Sequence, residues 1–268
     1  MMHFKDRKAA VTGGGTGLGR EIALGLARGG ADLVLTYSRS ADEAEATAAE
    51  ARALGVDARA VKADAATAEG AKALADACAP WGRLDVLVCN AGITKHAPNH
   101  GDLDALSAED FQRLYAVNVV GPFLAVQACA ALLRASRAAT GLAAAVLNTS
   151  SIAGVTGIGS SVAYAASKGA LNTMTLSLAR ALGPDIRVNA ICPGFIGTRW
   201  FKDSMDPETY ARTIERVERS TPLQAASGAE DIAGSALFLV SDLSRHVTGE
   251  TLMVDAGAHL NLTPLKAR

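Results

Sequence analysis

The sequence predicts an α/β protein with a doubly wound, seven-stranded parallel sheet and helices on both faces. Two observations carry this prediction: short apolar, β-branched runs alternate with longer amphipathic segments, and a glycine-rich stretch follows the first run. Strands joined by crossover helices run parallel with right-handed connections, so the helices cover both faces. The predicted strands are Lys8–Thr12, Asp32–Tyr37, Asp57–Lys62, Leu84–Cys89, Ala143–Thr149, Ile186–Ile191 and Thr251–Val254.

Six longer segments between these runs have the spacing of amphipathic helices. Three of them begin with the spacing of a capping box, in which the first side chain caps a free backbone N–H and the acid reaches back. These signals set the alternation of strands and helices, and we expect a single domain over residues 1–268. The predicted capping boxes are Ser40 with Glu43, Ser107 with Asp110, and Ser227 with Glu230.

The composition favours a packed globular protein that acts on a small molecule. Hydrophobic residues make up 49% of the 268 residues and charged residues 20%, which excludes a disordered chain. The 26 lysines and arginines nearly balance the 27 aspartates and glutamates, so the formal net charge is −1. Without a basic excess, neither nucleic acid nor an anionic membrane surface is an expected partner. A small anionic ligand would have to be held by a local site.

The cysteines and histidines predict neither disulfides nor a metal site. Cys78, Cys89, Cys129 and Cys192 lie far apart without a CxxC pair, so we expect buried, reduced thiols. The five histidines form no cluster with ligand spacing, and no catalytic metal is expected. Residues 1–8 contain no apolar run with the length of a signal peptide or a membrane span. These features together predict a cytoplasmic protein.

A glycine-rich segment between the first strand and the first helix predicts a dinucleotide site. Residues 12–19 read Thr-Gly-Gly-Gly-Thr-Gly-Leu-Gly. Glycines suit this turn because it needs positive φ angles and because a pyrophosphate must approach backbone N–H groups at a helix N-terminus. An ordinary strand-to-helix turn would explain one or two glycines, whereas five in eight residues favour a nucleotide-binding loop.

The TGxxxGxG spacing of this loop resembles the short-chain dehydrogenase/reductase family, and within it the 3-oxoacyl-carrier-protein reductase branch. The resemblance covers about residues 8–257. Cys89 replaces a common asparagine and Ala256 lies in a tail that usually reads VDGG, but neither departure removes a group that the chemistry needs. The matching motifs are Asp64 after the third strand, Asn90-Ala91-Gly92 after the fourth, Asn118, Ser151, the YxxxK signature from Tyr164 to Lys168, and Pro193-Gly194-Phe195-Ile196-Gly197-Thr198.

The resemblance implies a Rossmann fold that binds a nicotinamide dinucleotide at the carboxyl ends of the strands. It implies that Asp64 contacts the adenine and that Thr198 contacts the nicotinamide carboxamide, in preference to capping a helix. Asn90 has two interpretations, a brace within the sheet and a cofactor contact. The residues expected to bind the cofactor are Gly13, Gly15, Thr16, Gly17, Leu18, Gly19, Tyr37, Ser38, Arg39, Asp64, Ala65, Asn90, Ala91, Gly92, Tyr164, Lys168, Pro193, Gly194, Ile196 and Thr198.

Tyr164 and Lys168 are four residues apart, so on a helix they share one face. An adjacent ammonium would lower the phenol pKa, and Tyr164 would then protonate a developing alkoxide in reduction or act as base in oxidation. Ser151, at the end of the fifth strand, would hydrogen-bond the substrate oxygen. The family's pattern implies that Lys168 also binds the nicotinamide ribose and that Asn118 holds a water linking Lys168 to solvent. Taken singly, each residue also has a structural explanation, and their joint occurrence favours catalysis.

The end of the second strand predicts the choice of dinucleotide. An NAD enzyme usually places an acid there to accept a hydrogen bond from the adenosine ribose, but this chain has Tyr37 followed by Ser38 and Arg39. Arg39 and the neighbouring hydroxyls would bind a 2′-phosphate, although a solvated turn arginine is the alternative. We therefore expect NADP(H), with NAD(H) as the alternative cofactor.

The segment from about residue 194 to 227 interrupts the alternation of strands and helices and is the candidate substrate lid. Its Trp200 and Phe201 would either line the pocket or pack the lid onto the core. Its interleaved acids and bases favour a solvated mixed-charge helix over a surface for an acidic carrier protein. The sequence of the lid therefore does not identify the substrate.

The predicted function is hydride transfer between NADP(H) and a ketone, a 3-oxoacyl compound or a secondary alcohol. Two alternatives are a cofactor-binding regulatory or scaffold protein without turnover, and a methyltransferase that shares glycine-rich turns. The intact Ser151, Tyr164, Lys168 and Asn118 argue against the first, and the second gives no reason for the YxxxK signature. Long helices over Ala108–Arg134 and Val162–Leu182 have alanine-rich faces that permit close packing between subunits. The resemblance implies that these two helices build a dimer and that a further contact near the C-terminal strand makes a homotetramer with 222 symmetry.

Overall fold

A computed structural model of the chain describes residues 2–198 and 205–260. Its strands form one parallel sheet in the order β3-β2-β1-β4-β5-β6-β7, which confirms the predicted fold class. The sixth strand runs two residues further than expected because Cys192 and Pro193 pair with Met253 and Val254. The strands are β1 (Lys8–Thr12), β2 (Asp32–Tyr37), β3 (Ala58–Lys62), β4 (Val86–Cys89), β5 (Ala144–Thr149), β6 (Ile186–Pro193) and β7 (Thr251–Val254).

Helices pack on both faces of this sheet and bury two separate apolar layers. One layer contains side chains of α1, α2 and α9 with Leu33, Leu35 and Val88 from the strands. The other contains side chains of α3, α5 and α7 with Val34 and Leu87. The helices are α1 (Gly17–Arg28), α2 (Ala41–Ala53), α3 (Ala68–Cys78), α4 (Ala108–Tyr115), α5 (Gly121–Thr140), α6 (Ala153–Thr156), α7 (Val162–Leu182), α8 (Pro207–Ser220) and α9 (Ala229–Val240).

The strand order reverses direction beside β1, which pairs with β2 on one side and with β4 on the other. The chain first builds outward to β3 and then returns to lay β4 beside β1. Loops leave the carboxyl ends of β1 and β4 in opposite directions, so a crevice opens between them. This reversal is where open α/β sheets bind their ligands.

Helices α4 and α5 form one continuous stretch through a π-helical turn at Ala116–Val120. The combined stretch of 33 residues is long and apolar enough to cross a membrane by length and composition alone. In this fold its Val126, Cys129 and Leu133 are buried against the sheet. The length of the stretch is thus accounted for by a core helix.

Only one of the three predicted capping boxes is formed. Ser107 accepts a hydrogen bond from the Asp110 N–H at 3.2 Å and donates its own N–H to the Asp110 carboxylate at 3.1 Å. Ser40 precedes α2 but makes no capping bond with its side chain. The capping box predicted at Ser227 is also not formed. The Ser227 carbonyl accepts the Gly197 N–H at 2.8 Å, and the N-cap of α9 is the next residue, Gly228.

Asp85 is a buried carboxylate in the bend that precedes β4. It is 3% exposed and accepts hydrogen bonds from the Lys8 N–H at 2.7 Å and the Ser136 hydroxyl at 2.6 Å. Arg83 lies 3.2 Å from the same carboxylate. The acid therefore joins the starts of β1 and β4 to α5. All four cysteines are buried and free, as expected.

Candidate active site

A cleft of about 1280 Å³ opens at the carboxyl ends of the strands, over the reversal of strand order. It extends from the loop after β2, past the glycine-rich loop, to the start of α7. Most of the residues that the sequence predicted to bind cofactor or substrate lie in its wall. They are Gly13, Thr16, Gly17, Leu18, Tyr37, Ser38, Arg39, Asp64, Ala65, Asn90, Ala91, Gly92, Ser151, Tyr164, Lys168, Pro193, Gly194, Ile196 and Thr198.

The glycine-rich loop leaves the N-terminus of α1 open toward the cleft. Gly13 and Gly17 have φ angles of +63° and +52°, which side chains with a Cβ rarely adopt. Thr16 precedes the helix in an extended conformation and makes no capping bond with its side chain, and the first turn contains no acid. The first N–H groups of α1 and its positive dipole end are therefore available to a phosphate group.

Gly15 and Gly19 do not line the cleft, in contrast to what was expected of them. A Cβ on Gly15 would lie 2.8 Å from the Ala44 backbone, so this glycine lets α2 approach the loop. A Cβ on Gly19 would lie 2.3 Å from the Gly13 carbonyl oxygen and 2.4 Å from the Asn90 amide. These two glycines allow close packing behind the loop.

Asn90 braces the sheet beside the cleft. Its side-chain amide donates to the carbonyl oxygens of Thr12 and Gly13, each at 3.2 Å. The Thr12 hydroxyl in turn accepts the N–H groups of Asn90 and Ala91 at 2.9 and 3.0 Å. This network ties the ends of β1 and β4 together where the sheet reverses. Asn90 also lines the cleft, so the two interpretations of this residue are compatible.

The loops after β2 and β3 form one end of the cleft. Arg39 is exposed there, and it makes no hydrogen bond or ion pair within residues 2–198 and 205–260. Asp64 uses one carboxylate oxygen to accept the Ala66 N–H at 3.0 Å. Asp32 lies at the opposite end of β2, where it pairs with Lys8. The end of β2 therefore carries Tyr37, Ser38 and Arg39 in sequence, and none of these three is an acid.

Ser151, Tyr164 and Lys168 come together at the other end. Ser151 follows β5, and its hydroxyl is hydrogen-bonded to the phenol of Tyr164. Ser161 caps α7 by accepting the Tyr164 N–H at 3.1 Å, which places Tyr164 in the first turn. One turn later, Lys168 is 4% exposed and donates from Nζ to the Thr149 carbonyl oxygen at 2.8 Å. Its Nζ lies 5.7 Å from the centre of the Tyr164 ring.

Burial dominates the protonation of these two side chains. It raises the pKa of Tyr164 to about 12, and the hydrogen bond from Ser151 opposes only part of that rise. Burial also lowers the pKa of Lys168 to about 8. The prediction that Lys168 lowers the pKa of Tyr164 is therefore wrong. The ammonium is itself destabilised by burial and points to Thr149.

Sequence and structure comparisons agree with this geometry. A family model described as enoyl-(acyl carrier protein) reductase matches residues 13–259. The chain belongs to the short-chain dehydrogenase/reductase family. It is a nicotinamide-dependent oxidoreductase of carbonyl and alcohol compounds.

Three relatives show how far the likeness extends. The chain is 40% identical to a Streptomyces violaceoruber protein named ketoacyl reductase 2 of the granaticin polyketide synthase, over 94% of this chain and 96% of that one. It is 36% identical to an NAD(P)-dependent L-rhamnose 1-dehydrogenase of a Sphingomonas species, over 98% and 100%. The RhlG/NADP active-site complex of Pseudomonas aeruginosa superposes with a TM-score of 0.85 at 32% identity, covering 97% of this chain and 99% of that one.

Asn118 lies behind the wall of the dehydrogenase cleft and does not line it. It occupies the π-helical turn and is fully buried. Its amide oxygen accepts the Ile93 N–H at 2.9 Å, and its amide nitrogen donates to the Ile93 carbonyl and the Ser167 hydroxyl, each at 3.0 Å. A Cβ on Gly92 would lie 3.3 Å from this amide oxygen and 3.6 Å from Lys168 Nζ. Asn118 thus positions the loop that separates it from Lys168.

The lid segment begins beside β7 and returns to the turn that follows it. Gly194 donates its N–H to the Val254 carbonyl at 3.2 Å, and Leu223 donates to Ala256 at 3.2 Å. Trp200 and Phe201 lie outside the described residues, so their predicted place in the pocket stays a prediction.

Several cleft residues were not found from the sequence. They come from the loop after β4, from α4, from the segment before α7 and from the lid, where no motif marks a side chain as pointing inward. The additional lining residues include His96, Arg113, Ile158, Ser160, Met205 and Arg216.

Proposed function

We propose that this protein reduces a ketone or 3-oxoacyl compound with NADPH, and oxidises the corresponding alcohol with NADP⁺. The observation that carries the proposal is the cluster of Ser151, Tyr164 and Lys168 at one end of a cleft whose other end offers an open helix N-terminus and Arg39. A scaffold function without turnover would give no reason for a buried lysine beside a buried, hydrogen-bonded phenol. The printed names of the relatives also favour turnover.

The cleft fits a dinucleotide along its whole length. The open N-terminus of α1 would hold the pyrophosphate, and Asp64 and Ala65 would border the adenine. Lys168 would hold the nicotinamide ribose, with Asn90 and Thr198 beside the nicotinamide. When bound, the cofactor supplies or accepts the hydride.

Tyr164 is the proposed proton donor in reduction. Because burial raises the pKa of its phenol to about 12, the group is protonated at neutral pH and ready to donate to the oxygen of the carbonyl substrate. Ser151 would hold that oxygen by a hydrogen bond. Asn118, through its hold on Ile93, would position the wall next to Lys168 and the water that returns a proton to it.

The preference for NADP(H) is proposed from the end of β2. Arg39 is exposed and unpaired among the described residues, and Ser38 lies beside it. A guanidinium forms charge-assisted, often bidentate bonds with a phosphate, while the missing carboxylate removes the usual partner of an unphosphorylated ribose. The solved complex of RhlG with NADP supports the same choice.

We further propose a cytoplasmic location and a homotetramer. Four buried free thiols suit a reducing compartment. Val120 in the π-helical turn, Phe123 on α5 and Leu176 on α7 expose apolar side chains, and they lie on the two long helical stretches whose alanine-rich faces predicted the subunit contact.

The substitution Tyr164→Phe tests the catalytic assignment. It keeps the ring and its packing, so folding and NADPH affinity should be preserved while turnover falls by roughly 10²–10⁴. The measurement follows nicotinamide absorbance with a panel of ketones, oxoacyl thioesters and sugars. Near-wild-type turnover in Tyr164→Phe would exclude this residue as the proton donor. Tight NADPH binding without turnover on any compound would favour the scaffold alternative.

A further inference from the structure

The substrate end of the cleft carries positive charge that no described acid neutralises. Two arginines line the cleft: Arg113 comes from α4, which packs against α7, the helix of Tyr164 and Lys168, and Arg216 comes from α8 of the lid. Among residues 2–198 and 205–260, Asp64 is the only carboxylate in the cleft wall, and it lies at the adenine end. A ligand that reaches the substrate end therefore meets two guanidinium groups and no described carboxylate.

The neighbours of Arg216 show that its lack of a partner is specific to this residue. On the same helix, Arg212 pairs with Glu208 at 2.9 Å and Arg219 pairs with Glu215 at 3.8 Å. Neither of these paired arginines lines the cleft, whereas Arg216 lines it and makes no ion pair within the described part of the chain. The prediction of a solvated mixed-charge helix therefore describes the ion-paired Arg212 and Arg219, whereas Arg216 lines the cleft.

Arg113 is in the same situation on α4. Asp110, one turn before it, caps the helix through Ser107 and pairs with Lys95 at 3.4 Å. Arg113 makes no ion pair with any described residue and lines the cleft. Guanidinium groups are weakly hydrated and form bidentate bonds with carboxylates and phosphates, which suits them to hold an anionic ligand.

We propose that the site selects carbonyl substrates that carry a carboxylate or phosphate group, held between Arg113 and Arg216, while the carbonyl reaches Ser151 and Tyr164. Apolar residues of the wall, including Ile158 and Met205, would contact the carbon chain between the two groups. This inference rests on the proposed reductase function and adds the substrate class to it. The net charge of −1 gives no general attraction for anions, so the selectivity is local.

The test compares matched charged and neutral probes with NADPH. Levulinate and methyl levulinate differ in a carboxylate, and hydroxyacetone phosphate and hydroxyacetone differ in a phosphate. Wild-type protein should have a higher kcat/KM for the charged member of at least one pair. Arg113→Gln and Arg216→Gln should each reduce that preference by about tenfold or more. Added salt should weaken the preference because both groups are exposed.

Matched variants separate this effect from a general loss of structure. Arg212→Gln removes the same charge from the same helix at an ion-paired position outside the cleft wall, so the preference should remain. Arg113→Lys and Arg216→Lys keep the charge and should retain part of the preference. If Arg113→Gln and Arg216→Gln lose the preference only in the carboxylate pair, the site holds a carboxylate. If they lose it only in the phosphate pair, the site holds a phosphate.

Three outcomes would contradict the inference. The first is equal kcat/KM for charged and neutral probes in wild type. The second is an equal loss in the Arg212→Gln control. If none of the four probes is turned over, calorimetric binding of levulinate and hydroxyacetone phosphate to the protein with NADP⁺ decides the present inference, while the reductase proposal is judged on the broader panel of carbonyl compounds. Affinity for both anions that is unchanged in Arg113→Gln and Arg216→Gln would then overturn it.

Discussion

At the scale of single residues, Arg39 determines the cofactor preference that we propose. Arg39→Ala removes a charge-assisted bond to the 2′-phosphate of NADPH, and NADH has no such group. We expect the KM for NADPH to rise severalfold or more while the KM for NADH changes little. Steady-state kinetics with both cofactors measure this difference. An equal rise for both cofactors would show a general structural function of Arg39, and a wild-type preference for NADH would overturn the assignment.

The burial of Lys168 predicts that activity decreases at alkaline pH. Burial lowers the pKa of its ammonium to about 8, so the positive charge is present below that pH and is lost as the pH rises through it. Tyr164 stays protonated across the same range, because its pKa is about 12. The rate of carbonyl reduction and the affinity for NADPH should therefore decrease together above about pH 8. A pH profile of kcat/KM that stays flat through this range would contradict the prediction.

Ala256 is a site of backbone strain. Its φ angle of +54° lies in the left-handed region, at the position where the sequence departs from the usual VDGG tail. A Cβ costs about 1–2 kcal/mol in that region, and glycine gives part of this back through the entropy of the unfolded chain. Ala256→Gly should therefore increase the free energy of unfolding by about 0.5–1 kcal/mol.

The matched control for Ala256 is Ala49, an exposed residue within α2. Ala49→Gly should decrease the free energy of unfolding by about 1 kcal/mol, because glycine is a poor helix former. Denaturant titration of both variants gives the two signs directly. Destabilisation of similar size at both positions would show that the φ angle of Ala256 carries no strain.

At the scale of elements, the lid helix α8 is expected to be the first to exchange its amide hydrogens. None of its residues is buried, whereas α7 buries seven of its residues, among them Leu171, Thr175 and Ala179. Hydrogen exchange should be faster in α8 than in α7 for the protein alone, and slower in α8 once NADP⁺ and a substrate analogue are bound. Protection of α8 equal to that of α7 in the protein alone would mean that it is ordinary scaffold.

Sequence patterns predicted the elements better than the interactions at their ends. β1, β2 and β7 have the predicted bounds, because apolar runs between turn signals mark a buried strand on their own. Ser227 could not be placed in the same way. Its spacing to Glu230 suits a cap, but its carbonyl pairs with Gly197, a contact 30 residues away in the chain. The contacts of Asp85 are hidden from sequence patterns for the same reason, since its partners on β1 and α5 are distant in sequence.

The candidate site shows the same division. Ser151, Tyr164 and Lys168 were predicted because a motif fixes their spacing, and the structure brings them together. The protonation of Tyr164 was predicted with the wrong sign, because the degree of burial is a property of the folded molecule. Arg113 and Arg216 carry no motif, and only the packing of α4 and α8 around one cleft shows that they share a site.

At the scale of the whole molecule, exposed apolar side chains predict self-association. Val120 in the π-helical turn is 44% exposed, Phe123 on α5 is 42% exposed, and Leu176 on α7 is 51% exposed. Light scattering should give the mass of a tetramer. Phe123→Glu should lower the mass, whereas Leu54→Glu, a change of the same kind at a residue 46% exposed after α2, should not. A monomer mass for the wild-type protein under dilute native conditions would contradict the prediction.

The turn after β7 holds both ends of the lid. Val254 accepts the N–H of Gly194 at the start of the lid, and Ala256 accepts the N–H of Leu223 near its end. Asp255 is buried beneath them and ties the turn together by accepting the Gly257 and His259 N–H groups at 3.0 and 2.7 Å. We therefore expect the chain between these anchors, beyond Thr198, to tolerate replacement by cassettes of other sequence. Since doubling the length of a flexible loop costs only about 0.6 kcal/mol, cassettes of very different length could be grafted between these two anchors to redesign selectivity without altering the sheet.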